Sequence, residues 1–73
     1  MQIERLVAMA NQIGDFFGAE PDRGEAAKAA ASHLRRFWDP RMRTQIVAHH
    51  QANGAGLNDV ARAAVELLAR NEV

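Results

Sequence analysis

Apolar residues in the first part of the chain recur at intervals of three and four. Ile3, Leu6, Val7, Ala10, Ile13, Gly14 and Phe17 form one stripe, widened by Met9 and Phe16, which is the pattern of an amphipathic helix. It predicts a first helix over residues 2–17. Gly18 offers a permissive C-terminal position and Pro21 cannot continue a helix, so the chain turns across Ala19-Glu20-Pro21. Asp22 followed by Glu25 has the spacing of a capping box, in which the Asp oxygen accepts from an orphan N–H and Glu25 reaches back. A second helix over 23–37 follows, with Ala26, Ala27, Ala30, Ala31, Leu34 and Phe37 as its inner face. Its alanines allow a neighbouring helix to approach closely. Bulk arrives only at the far end, as Leu34, Phe37 and Trp38.

Asp39-Pro40 ends one helix and starts another, since Pro disfavours helical geometry in the residue before it and suits the first helical position after a capping Asp. The third helix, 40–53, turns Met42, Ile46 and Val47 inward with His49 or His50 at its margin, and closes at Asn53-Gly54. Gly56 loosens the link. Asn58 caps a fourth helix over 59–70 that presents Val60, Ala61, Ala64, Val65, Leu67 and Leu68, with the Arg70 cation at its C-terminal end. No segment alternates apolar and polar residues as a strand does. The expected fold is therefore all-α, a single domain over 1–73 built as a small bundle of four short helices in antiparallel or angled hairpins.

Length and composition then restrict how such a bundle is held and used. A chain of 73 residues buries only about 60% of the surface its unfolded form exposes, and a core of that size supplies roughly 3–5 kcal/mol. The sequence has no cysteine, which removes disulfides, iron–sulfur ligation, thiolate zinc sites and a cysteine nucleophile. Oligomerisation or docking on a partner is left as the source of extra stability. The start Met1-Gln2-Ile3-Glu4-Arg5 carries an acid and lacks the basic, apolar and small-residue segments of an export signal, so a cytoplasmic protein is expected. Every apolar run is broken well short of the ~20 residues of a membrane span. Nine acidic and nine basic residues balance, which argues against a whole-protein electrostatic footprint for nucleic acid.

Catalytic equipment is sparse. Ser32 and Thr44 are the only side-chain alcohols, and neither sits in a strand-to-helix elbow. His33, His49 and His50 with Asp39 form a conceivable metal set, but adjacent residues on a helix point about 100° apart, so His49 and His50 do not share one ion easily. The Gly14 to Gly18 and Gly54-Ala55-Gly56 segments lack the strand and following Lys of a phosphate loop. The reading is no catalytic, cofactor-binding or metal-binding residue in this chain.

The unusual segment is His33-Leu34-Arg35-Arg36-Phe37-Trp38-Asp39-Pro40-Arg41-Met42-Arg43, which holds four of the eight arginines and the only Trp. Arg, Trp and Met are the residue types enriched where proteins bind one another. The expected docking set is Arg35, Arg36, Phe37, Trp38, Asp39, Pro40, Arg41, Met42 and Arg43, joined by Asn11 and Gln12. A plainer reading has Phe37 and Trp38 plug the core while the arginines stay solvated or pair with Asp39, Glu20 and Asp22. The plainer reading suits Phe37; the partner reading suits the arginines. An alternative function uses the same residues on nucleic acid, with arginines on phosphates and Trp38 stacked on a base, although a single Lys and zero net charge weaken it. A homodimer burying the alanine face is a third.

The same blocks carry a family likeness. Leu6-Val7-Ala8-Met9-Ala10-Asn11-Gln12-Ile13-Gly14-Asp15-Phe16-Phe17, the Pro21-Asp22-Arg23 turn, the 33–43 segment and Gly54-Ala55-Gly56-Leu57 together resemble the delta subunit of soluble NAD-dependent, molybdenum-containing formate dehydrogenases. The likeness spans nearly the whole chain. It implies a non-catalytic accessory subunit in a cytoplasmic complex. In that family the alpha subunit carries a molybdopterin guanine dinucleotide cofactor and iron–sulfur clusters, while the beta and gamma subunits carry FMN and further clusters. The expected partners are the alpha subunit and its beta and gamma companions, with no cofactor held by this chain.

Overall fold

A computed structural model describes residues 2–71. Four helices make up the fold: α1 Ile3–Phe17, α2 Arg23–Phe37, α3 Pro40–Gln51 and α4 Asp59–Ala69. No strand occurs among the described residues, and the protein is all-α.

Three of the four helices begin on a side-chain cap. The Asp22 carboxylate accepts from the Glu25 N–H at 3.1 Å, Asp39 from the Met42 N–H at 2.9 Å, and the Asn58 amide oxygen from the Ala61 N–H at 2.8 Å. Each satisfies one of the donors a helix start leaves unpaired. The capping box at α2 differs from its expected form. Its return bond comes from Glu20, whose Oε1 accepts from the Asp22 N–H at 3.1 Å, because the turn folds Glu20 over the cap. Glu25 is released to the Lys28 ammonium, 4.0 Å away on the exposed helix surface.

The helix ends also depart from expectation. Gly18 stays right-handed at φ −66°, so α1 does not use the left-handed freedom of glycine there. Helix α3 stops at Gln51 rather than 53, because Ala52 already leaves helical geometry and the reversal occupies two residues, Asn53 at φ 128° and Gly54 at φ 69°. The Gly54 N–H donates to the His49 carbonyl at 2.8 Å, closing the turn. From α4, Arg62 donates to the carbonyls of Asn53 at 3.0 Å and Gly54 at 2.9 Å. A Cβ on Gly54 would lie 2.7 Å from that guanidinium.

One large apolar side chain from each helix meets at the centre: Leu6, Leu34, Ile46 and Val65, each at most 1% exposed. Helix α4 packs on all three others, and its broadest contact is with α2. There the alanines Ala26, Ala27, Ala30 and Ala31 and the α4 residues Ala61 and Ala64 are buried, so both backbones approach with little side chain between them. Helices α2 and α3 are joined only by Trp38 and Asp39 and scarcely touch. Their junction is therefore a corner, and the side chains around it are the ones the sequence marks for function.

Candidate docking surface

The corner divides its residues between the core and the outside. Helix α2 ends at Phe37, and Trp38 turns extended at φ −88°, ψ 139°, so its side chain leaves the helical progression and folds back under the bundle. Only 5% of Trp38 is exposed. The expected surface anchor is thus a core residue, and the expected core residue is a surface one: Phe37 is 68% exposed. On α2 the inner stripe closes at Leu34, and Phe37 sits one turn beyond His33 on the flank toward α1.

Arg43 likewise serves the fold. From the first turn of α3 its Nη1 donates to the carbonyls of Arg35 at 2.9 Å and Trp38 at 2.6 Å. Carbonyls at the end of α2 have no intrahelical partner, and a guanidinium supplies one. Asp39 and Pro40 form the start of α3, and Met42 is half-buried against the core. Arg35 is exposed and donates to the Asn71 side chain at 2.6 Å. Arg36 and Arg41 are exposed. Among the described residues none of the four corner arginines pairs with an acid; the ion pairs found are Lys28–Glu25 and Arg70–Glu66.

Asn11 and Gln12 separate in the same way. Asn11 ties α1 to the start of α4: its Nδ2 donates to the Gly56 carbonyl at 2.8 Å, its Oδ1 accepts from the Asn58 N–H at 2.8 Å, and its carbonyl accepts from Asn58 Nδ2 at 3.1 Å. Gln12 is exposed.

What the structure adds is a row of rings across α1 and α2. The Phe16 and Phe17 rings meet edge to face with centroids 5.0 Å apart. Phe17 lies 5.9 Å from His33, and His33 lies 4.7 Å from Phe37. The Arg36 guanidinium covers the far end, 5.9 Å from the Phe37 centroid. Such spacings are favourable for aromatic and cation–π contact. Phe16 is 75% exposed. Half-buried Met9 and Ile13 continue the row along α1 at helical spacing, with Gln12 one turn before Phe16. Two large aromatics that are mostly exposed, at opposite ends of one ring ladder, form the prominent apolar feature of the outer surface. The sequence carries a signal for it: consecutive phenylalanines on a helix point about 100° apart, so Phe16 and Phe17 do not both face the core.

His33 is a member of that ladder, while His49 shares a hydrogen bond of 2.8 Å with the Ala55 carbonyl. No group of three His, Cys, Asp or Glu side chains able to hold a metal is found among the described residues. With no cysteine in the sequence, the residues of this chain do not fit iron–sulfur ligation. No helix among the described residues is long and apolar enough to cross a membrane.

A family model, NADH-dependent formate dehydrogenase delta subunit FdsD, matches residues 5–65. The chain belongs to that family. The matched span takes in most of α1, the corner and the ring ladder, together with α4 as far as Val65. The family is, by its description, a subunit of formate dehydrogenase. Neither the curated proteins nor the solved structures yielded a match.

Proposed function

We propose that this delta-subunit family member is a non-catalytic accessory subunit that docks on a cytoplasmic formate dehydrogenase complex through the aromatic ridge of α1 and α2. The observation that carries the reading is the exposure of Phe16 and Phe37, 75% and 68%, within one ring ladder. Large aromatics held by their neighbours lose little rotamer freedom on binding, and they supply much of the energy of protein interfaces. Arg36 and Gln12 lie at the edge of the ridge, where polar groups give register.

On this reading the alpha subunit is the surface contacted, and the cofactors of formate oxidation reside in the alpha, beta and gamma subunits. A subunit that binds only the assembled state stabilises it by mass action, in proportion to the logarithm of its concentration over the dissociation constant. The nucleic-acid alternative needed Trp38 as a base-stacking platform, and a Trp only 5% exposed does not serve as one.

The test is capture by a tagged chain from its native cytoplasm, with mass spectrometry and molybdenum analysis of what accompanies it. Co-purifying formate dehydrogenase subunits with molybdenum is the expected result. A chain that returns alone, or with nucleic acid, contradicts the reading.

A further inference from the structure

A second surface lies on the other flank of α2. Residues 35 and 37 are two helical steps apart, about 200° around the axis, so Arg35 faces away from the ridge that holds Phe37. It opens on a groove of about 500 Å³ between α3 and α4. Val47 and Ala48 form one wall, Leu68 the other, and Arg35, Arg43 and Asn71 close the end.

Among the described residues the charge of this groove is one-sided: the lining contains two guanidiniums and no carboxylate. Arg43 Nη1 rests on the Arg35 carbonyl at 2.9 Å, which brings the two arginines to the same end. Like charges in one place repel, and the repulsion grows as water is excluded. Both side chains are nonetheless held there, by neutral partners: Asn71 Oδ1 for Arg35 and two backbone carbonyls for Arg43. These bonds use Nη1 of each guanidinium. A guanidinium has five N–H donors in a rigid fork, so an unused edge remains on each among the described contacts. That edge matches a carboxylate, which accepts two parallel bonds from an arginine.

We propose that the groove is a second docking site, which takes an acidic segment of a formate dehydrogenase subunit and seats an Asp or Glu carboxylate between Arg35 and Arg43. The proposal rests on the accessory-subunit reading and adds to it a contact from the opposite flank of α2. The apolar walls receive the methylene stem of the acid and its neighbours, and the arginines supply the register.

The experiment is calorimetry of the full chain titrated into nuclease-treated formate dehydrogenase complex lacking this subunit. Wild type is compared with Arg35→Glu, Arg35→Lys and the ridge variant Phe16→Ala/Phe37→Ala. Arg35 is exposed and caps no helix, so its variants keep the fold, whereas Arg43→Gln also removes the α2 cap. Arg35→Glu is expected to weaken binding at least about tenfold, with Arg35→Lys between it and wild type because the charge survives but the fork does not. Wild-type affinity for Arg35→Glu, with the ridge variant weakened, overturns the groove proposal and leaves the accessory reading standing. No binding by wild type overturns both. Binding that appears only before nuclease treatment assigns the groove to phosphate and also overturns the proposal.

Discussion

Asn58 holds Asn11 twice: its backbone N–H donates to the Asn11 side-chain oxygen at 2.8 Å, and its own amide donates to the Asn11 carbonyl at 3.1 Å. With the bond from Asn11 to the Gly56 carbonyl, this pair fixes the last loop against α1. Asn11→Ala leaves the half-buried Asn58 N–H without its partner and the exposed Gly56 carbonyl to water. The expected loss is about 1–3 kcal/mol, read as a lower urea midpoint with an unchanged slope.

Gly14 lies beside that pair, where a Cβ would stand 2.7 Å from Asn58 Oδ1 and 3.0 Å from the Ala61 nitrogen. Alanine in a helix interior ordinarily gains up to about 1 kcal/mol over glycine. At position 14 the added methyl pushes against the start of α4, and overpacking of this kind costs about 1–3 kcal/mol. Gly14→Ala is therefore expected to lower the melting temperature despite its better helix propensity.

Neighbouring aromatics at the corner should behave oppositely. Trp38→Ala removes a core side chain 5% exposed and is expected to destabilise by about 3–5 kcal/mol, enough to unfold much of the population. Phe37→Ala, at 68% exposed, should change stability by less than about 1 kcal/mol. Thermal denaturation of the two variants side by side checks the assignment of core and surface.

Arg43→Met retains an unbranched apolar stem and removes the guanidinium that donates to the Arg35 and Trp38 carbonyls. A loss of about 1–2 kcal/mol is expected. It should be accompanied by faster amide exchange at Trp38, whose N–H closes α2 on the Leu34 carbonyl at 2.9 Å.

These cases show what the sequence could reveal. The stripes on α1, α2 and α4 and the caps Asp22, Asp39 and Asn58 are local, so periodicity and side-chain chemistry point to them directly. Phe37 and Trp38 illustrate the limit: α2 stops at Phe37 as the sequence predicts, but Trp38 reaches the core from extended backbone just past that stop, a direction that helical periodicity does not describe. Arg43 and Asn11 looked available because their partners are backbone carbonyls and a loop N–H distant in the chain, which no spacing announces. The ring ladder was legible only in part. Two consecutive phenylalanines signal one exposed ring, but the contact of Phe17 with His33 needs α1 and α2 already docked.

The proposed attachment to formate dehydrogenase runs through the aromatic ridge. Its most direct test is calorimetric affinity of the Phe16→Ala/Phe37→Ala chain for the complex lacking this subunit, after circular dichroism shows wild-type helix content. A loss of about 2 kcal/mol or more, roughly thirtyfold in dissociation constant, is predicted. Wild-type affinity in the folded double variant would exclude the ridge as the site of attachment.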